Sequence, residues 1–120
     1  MEGISIHKKL QSDKVPWDLL LLADPSRERV ESYAGSGEIF LATINTIVVG
    51  VYVLVGNSDV VELINIAVQE EHQGKGIGKA LLFDAIARAK QMKAKRFEVG
   101  TGNTSGNQLA FYQKHGFRIV

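Results

Sequence analysis

The pattern of apolar and polar residues predicts strands in the first half of the chain. Residues 38–44 and 47–55 are rich in β-branched side chains and are separated by an Asn-Thr pair, which suits a two-residue hairpin turn. A third strand is predicted over residues 60–68, after a run of polar turn residues. Because the connections are short, we expect an antiparallel meander.

Helical spacing follows the strands. Apolar residues recur three or four positions apart with charged residues between them, which predicts a helix over about residues 76–92. A strand is predicted over residues 96–100, a helix over residues 107–114, and a further extended segment over residues 117–120.

The first 37 residues carry weaker signals. A short strand is predicted around residues 4–6, with a possible extension to residues 8–10. A helix is predicted over residues 17–23, and a second short helix is expected to begin after Ser26 and to end at Tyr33.

Composition narrows the classes of partner. The 120 residues suffice for one domain, and 14 basic against 13 acidic side chains give a formal charge of +1. This balance gives no general argument for nucleic acid or an anionic membrane as a partner, so any anion site must be local. The three histidines show no metal-ligand spacing, and no metal site is expected.

The absence of cysteine bears on both chemistry and location. Without cysteine there are no disulfides, no thiolate ligands and no cysteine nucleophile, and a reducing compartment is the natural setting. The first residues lack the apolar core of a signal peptide, and the longest apolar stretch is too short to span a bilayer. We therefore expect a cytoplasmic protein.

Three glycines on alternate positions separate the third strand from the long helix. Gly74, Gly76 and Gly78 would let an anion reach the unpaired N–H groups of the helix N-terminus, and Lys75 and Lys79 add positive charge. The simpler alternative is a tight turn without a ligand.

Two known phosphate-binding motifs do not match this run. The dinucleotide fingerprint would need glycine where Lys79 stands. The nucleotide-hydrolase P-loop would need a hydroxyl residue at Ala80 and a glycine at Gln73. Nucleotide hydrolysis is therefore not expected.

Two segments together resemble the GNAT superfamily of N-acetyltransferases. The first is Gln73-x-x-Gly76-x-Gly78 after an apolar strand, and the second is FYQKHGF at residues 111–117. The resemblance implies a single α/β domain in three layers, with a largely antiparallel central sheet flanked by helices, and acetyl-CoA (coenzyme A) as cofactor. It implies that the following residues hold the pantetheine arm and the diphosphate: Ile66, Ala67, Val68, Gln73, Gly74, Lys75, Gly76, Ile77, Gly78 and Lys79.

The resemblance also suggests catalytic residues. Tyr112 matches the family's general acid, and a phenol with a reference pKa of about 10 can share a proton with a departing thiolate. Glu62 matches the strand position of a catalytic glutamate in some members and is our candidate base. The alternatives are a water chain as base, a solvated Glu62 and a structural Tyr112.

One position departs from the family pattern. Many members carry asparagine seven residues before the tyrosine, where this sequence has Ser105. Asn103 and Asn107 lie on either side of it, and we expect Asn103 or Ser105 to contact the cofactor.

The expected function is acetyl transfer from acetyl-CoA to a primary amine by direct attack, on a small-molecule or peptide acceptor. The alternative is a non-catalytic domain of the same fold that binds acyl-CoA or a partner protein. Only four residues follow Gly116, whereas similar domains continue with two further strands. We therefore expect the strand at residues 96–100 to pair with a second copy in a homodimer.

Overall fold

A single mixed sheet forms the centre of the molecule. The computed structural model describes residues 3–56 and 59–99, and its five strands lie in the order in which they follow along the chain. They are β1 Ile4–Lys8, β2 Glu38–Ile44, β3 Ile47–Gly56, β4 Val60–Val68 and β5 Arg96–Val99. The first four are antiparallel neighbours, whereas β4 and β5 are parallel. This architecture confirms the predicted fold class.

Three helices complete the described residues. They are α1 Trp17–Ala23, α2 Arg27–Ser36 and α3 Ile77–Gln91, and a short 3-10 turn spans Glu70–His72. The predicted long helix is confirmed, with Gly76 and Met92 as its caps. The predicted hairpin is confirmed too, because Asn45 and Thr46 have the positive φ values, 50° and 70°, of a two-residue hairpin turn.

The helices lie on opposite faces of the sheet. α3 covers one face and shares an apolar cluster with side chains of β2 to β5. α1 and α2 cover the other face through a second cluster. Leu81 in α3 and Leu20 in α1 are both fully buried at these contacts. The result is the expected arrangement of three layers.

A β-bulge in β4 changes which face its side chains meet. Leu54 of β3 lies opposite Leu63, but Val53 lies opposite Asn65, so Ile64 is an extra residue in β4. Val61 and Leu63 pack with α3, whereas Asn65 and Ala67 meet the α1–α2 side. The bulge therefore reverses the alternation of the strand in its middle.

Two predicted boundaries were wrong. β1 ends at Lys8 and does not extend further. α2 continues past Tyr33 to Ser36, because the Gly37 N–H closes the last turn on the Tyr33 carbonyl oxygen at 2.7 Å. A helix tolerates glycine at a cost of about 1 kcal/mol, so Gly35 does not stop it. The predictions for residues 107–114 and 117–120 lie outside the described residues.

Two kinds of feature are absent from the described residues. No helix within 3–56 and 59–99 has the length and apolar character needed to cross a membrane. The same residues contain no cluster of His, Asp or Glu side chains suited to a metal ion. β5 is the edge strand of the described sheet, and the homodimer stays a prediction.

Candidate active site

The second half of β4 has a strand neighbour on one side within the described residues. The described part of β5, Arg96 to Val99, pairs with Val60 to Leu63 of β4. β3 covers the other side of β4 as far as Val68. Along residues 64–68 the backbone groups that point away from β3 have no strand partner among residues 3–56 and 59–99, and an extended ligand could pair with this open segment as a strand would. Ile66, Ala67 and Val68 lie in this open segment.

The glycine run forms a turn that presents backbone N–H groups. Gly74 and Gly76 have φ values of 78° and 87°, a conformation that glycine adopts without strain. Gly76 is the N-cap of α3, and no side chain caps the helix. The first helical bond runs from the Ala80 N–H to the Gly76 carbonyl oxygen at 3.0 Å. The N–H groups of residues 74–79 have no acceptor among the residues that the structure describes.

The first turn of α3 also differs in charge from the other two helices. α1 and α2 carry Asp18 and Glu28 in their first turns, but α3 has no acidic residue there. Negative charge at a helix N-terminus is favourable, so α3 lacks a stabilising partner that its neighbours have. Two exposed lysines in the turn are offset by two glutamates in the preceding 3-10 turn. Attraction for an anion therefore comes mainly from the N–H groups.

Gln73 holds this turn against the end of β4. Its side-chain Nε2 donates to the Val68 carbonyl oxygen at 3.0 Å, and its backbone N–H donates to the Glu70 carbonyl oxygen at 3.3 Å. Nearby, the Gln69 N–H donates to the Val49 carbonyl oxygen at 2.9 Å. The run of unpaired N–H groups therefore begins at Gly74, directly beside the open segment of β4.

The space around the turn suits a diphosphate. A Cβ placed on Gly74 would meet no atom within 4 Å, and one placed on Gly78 would meet only Val68 Cγ2, at 3.8 Å. Clustered N–H donors at a helix N-terminus are the usual partners of phosphate oxygens. The residues present therefore fit the diphosphate of coenzyme A.

Glu62 lies on β4 just before the bulge. It alternates with the buried Val61 and Leu63, so its side chain is on the α1–α2 side of the sheet, where it is partly buried. In the parallel register it lies opposite Glu98 of β5, whose Oε1 is 2.9 Å from Arg96 Nη2. The other predicted site residues, Tyr112, Asn103 and Ser105, lie outside the described residues.

An open cleft of about 330 Å³ lies at the N-terminus of α1. Gln69, next to the 3-10 turn, forms part of its wall. The Arg27 guanidinium lies 4.6 Å from the ring centroid of Trp17, which lines the cleft. The full lining is Val15, Pro16, Trp17, Asp18, Leu19, Val48 and Gln69.

Sequence reasoning missed the fully buried Asn65. Its amide Nδ2 donates to the Leu20 carbonyl oxygen at 3.0 Å and to the Tyr33 hydroxyl at 2.8 Å. Burial is the largest cause that raises the pKa of Tyr33, and the nearby Asp24 adds to the effect. A signal was present in the sequence, because Glu62 and Asn65 are three residues apart and cannot share one face of a regular strand.

The comparison with known families decides the identity. The family model for the acetyltransferase (GNAT) domain matches residues 35–119. The chain belongs to the GNAT family of acetyltransferases.

Relatives of this GNAT domain match over nearly its whole length. A Bacillus subtilis strain 168 protein named as an uncharacterized N-acetyltransferase, YvbK, is 46% identical over an alignment of 120 positions, and the match covers 99% of this chain and 77% of that protein. A GNAT family acetyltransferase from Elizabethkingia anophelis, solved with acetyl-CoA bound, has a TM-score of 0.87 and 46% identity. The match covers 100% of this chain and 79% of that one.

A Bacillus subtilis acetyltransferase solved in complex with CoA is also similar. Its TM-score is 0.81 at 46% identity, and the match covers 96% of this GNAT domain and 76% of the solved chain. Both solved structures confirm the predicted family and its sheet flanked by helices.

Proposed function

We propose that this GNAT domain transfers an acetyl group from acetyl-CoA to a primary amine by direct attack. The observation that carries the proposal is the run of unpaired N–H groups at residues 74–79, placed beside the open segment of β4. The N–H groups of residues 74–79 suit an anion, and the open segment of β4 suits an extended chain. Coenzyme A contains both, because its diphosphate is joined to the pantetheine arm. The acetyl-CoA and CoA bound to the two similar structures support this reading.

Each part of the cofactor has candidate residues. The N–H groups of residues 74–79 would hold the diphosphate, with Lys75 and Lys79 beside it. The backbone of Ile66, Ala67 and Val68 would bind the amides of the pantetheine arm. From the family resemblance, Asn103 or Ser105 would add a contact. When bound, acetyl-CoA supplies an activated acetyl group and a thiol leaving group.

The chain's own residues supply the proton transfers. Glu62 would take a proton from the acceptor amine, directly or through water, and Tyr112 would give a proton to the leaving sulfur. A backbone N–H near Ile66 would polarise the thioester carbonyl. Because the sequence contains no cysteine that could form an acyl-cysteine intermediate, the amine would attack the thioester directly.

A screen of primary amines tests the activity. Acetyl-CoA is incubated with the protein and a panel of small amines, polyamines, aminoglycosides and lysine peptides, and released thiol is measured. Isothermal titration of coenzyme A runs in parallel. We expect coenzyme A binding together with thiol release and an acetylated product for at least one amine. Binding without turnover across the panel would instead favour the non-catalytic alternative, and absence of binding would refute both.

Substitutions then test the proposed roles. Tyr112→Phe should lower kcat about a hundredfold while coenzyme A affinity stays within about twofold, since only an acid is lost. Glu62→Gln should lower kcat most at low pH, whereas Glu98→Gln, its neighbour in register, should have little effect. Wild-type turnover in the Tyr112 variant would reassign that residue to structure.

A further inference from the structure

Asn65 stands out because it is the buried polar residue of the described core. Its side chain has 0% exposure, and it comes directly after the bulge residue Ile64. Without the extra residue, Asn65 would continue the alternation of Val61 and Leu63 into the apolar cluster beneath α3. The bulge and the amide therefore belong together, since the bulge takes the amide to the α1–α2 side.

The amide of Asn65 contacts both helices on that side. One bond reaches the Leu20 carbonyl oxygen near the end of α1, which also accepts the Asp24 N–H at 3.0 Å. The other reaches the hydroxyl of Tyr33 in α2. That hydroxyl donates to Asp24 Oδ2 at 3.2 Å, and Asp24 Oδ1 accepts the Ser26 N–H at 3.1 Å. One side chain of β4 thus joins α1, α2 and their connection.

The same amide leaves one group unsatisfied. Asn65 Oδ1 is buried and has no hydrogen-bond partner among the described residues. A buried acceptor without a donor is costly, and an apolar side chain of similar size would avoid that cost. Departures of this kind from the rules of packing concentrate at sites kept for function.

We propose that Asn65 is a positioning residue that holds the α1–α2 pair against β4 directly after its bulge. The consequence for acceptor binding rests on the proposed acetyl transfer. The α1–α2 pair covers the face of β4 that Ile64, Asn65 and Ala67 line, and the acetyl group would lie beside this part of the strand. The N–H groups of residues 74–79 belong instead to the turn that leads into α3, which covers the opposite face. Asn65 therefore acts on acceptor affinity, with coenzyme A affinity left unchanged.

Three variants test the proposal, and a fourth variant is the matched control. Asn65→Leu removes both hydrogen bonds and the unsatisfied oxygen, and Tyr33→Phe removes only the hydroxyl. The double variant measures how far the two residues act as one unit. Tyr52→Phe is the control, because Tyr52 is a fully buried tyrosine bonded to Asp84 on the α3 face.

Hydrogen exchange and coenzyme A titration give readouts that need no acceptor. In the Asn65 and Tyr33 variants, amides of α1 and α2 should exchange about tenfold faster while those of α3 keep their rates. Coenzyme A affinity should stay within about twofold. The Tyr52 control should instead speed exchange of the α3 amides and leave those of α1 and α2 at their rates. A general loss of stability would instead speed exchange on both faces, and that result would overturn the proposal.

Kinetics with the best amine of the panel complete the test. Asn65→Leu and Tyr33→Phe should each raise the acceptor KM about tenfold and change kcat less than about threefold, and the double variant should be no worse than Asn65→Leu. An equal loss of coenzyme A affinity, or an unchanged KM with normal exchange, would contradict the proposal. If Asn65→Leu does not fold, Tyr33→Phe alone decides. If no amine is acetylated by the unmodified protein, the proposed function fails, and hydrogen exchange still decides the role of Asn65.

Discussion

The two faces of the sheet each bury a tyrosine whose hydroxyl donates to an aspartate, but the two tyrosines have different surroundings. On the α3 face, Tyr52 donates to Asp84 at 2.5 Å and stacks on Phe40 with ring centroids 4.7 Å apart. The Arg88 guanidinium covers the Phe40 ring at 4.8 Å. These contacts cover the edge of the apolar cluster beneath α3. On the α1–α2 face, Tyr33 instead leads inward to the buried amide of Asn65.

This difference separates two tasks. The α3 face is held mainly by apolar contacts, and its binding groups are backbone N–H groups at the helix N-terminus. The α1–α2 face has an apolar cluster too, but it adds a chain of side-chain hydrogen bonds that ends in Asn65 Oδ1, which has no partner among the described residues. Backbone groups suit a cofactor that is the same in every reaction cycle, whereas side chains can be exchanged to suit an acceptor. We therefore expect substitutions on the two faces to affect different substrates.

The largest effect is expected in the turn before α3. Gly76→Glu or Gly78→Glu should lower coenzyme A affinity at least about a hundredfold, because a carboxylate takes the place of the diphosphate. Gly78→Glu is the sharper variant, since Gly78 lies inside the helix and glutamate is favourable in a first turn. Calorimetry measures the affinity, with the exposed Gly35→Glu of α2 as control. Unchanged affinity in the Gly78 variant would remove the diphosphate from this turn.

Truncation of a buried leucine on each face should separate stability from binding. Leu81→Ala and Leu20→Ala should each lower the free energy of unfolding by about 3 kcal/mol, since both side chains have 0% exposure. Only the Leu81 variant should also weaken coenzyme A binding, because α3 carries the N–H groups. Urea unfolding and calorimetry measure the two quantities. Equal loss of coenzyme A affinity in the Leu20 variant would break the separation.

Alkaline pH should reveal the buried phenol of Tyr52. Burial, followed by the hydrogen bond and charge of Asp84, raises the pKa of Tyr52 far above its usual value. The unfolded chain loses this proton above about pH 10 while the folded protein keeps it, so the free energy of unfolding falls by about 1.4 kcal/mol per pH unit there. In Tyr52→Phe the free energy of unfolding should fall less steeply between about pH 10 and 11, by the slope that one titrating proton contributes. Identical slopes would mean that the folded protein ionises Tyr52 normally.

The smallest effect is expected at Gln73. Gln73→Leu loses the hydrogen bond to the Val68 carbonyl oxygen and should weaken coenzyme A binding about three- to tenfold. The stability should change little, because Gln73 is exposed. Gln91→Leu, at the exposed far end of α3, is the matched control. An equal change in both variants would leave Gln73 without a role in holding the turn.

Local chemistry explains which parts of the fold could be predicted. The hairpin at Asn45 and the helix after Gly76 depend on neighbouring residues, and both were predicted from spacing. The bulge at Ile64 depends on partners from α1 and α2, which are far away in the sequence. The end of α2 depends on one hydrogen bond of Gly37 that outweighs the glycine before it. Contacts between distant segments are what a local pattern does not contain.

The same reasoning applies to the candidate site. The glycine turn could be predicted because its residues are consecutive and glycine has a distinctive conformational range. The link from Asn65 to Tyr33 joins residues 32 positions apart, and only the folded chain brings them together. Glu62 could be placed on a strand, but its neighbour Glu98 follows from the parallel register alone.

Amide resonances of the glycine turn test the central claim most directly. The ¹⁵N-labelled protein is titrated with coenzyme A and, separately, with pantetheine, which lacks the diphosphate. We predict that coenzyme A shifts the amides of residues 74–79 more than any others in the described part of the chain, and that pantetheine leaves those amides unchanged. Binding of coenzyme A with no shift at residues 74–79, or equal shifts from pantetheine, would contradict the account.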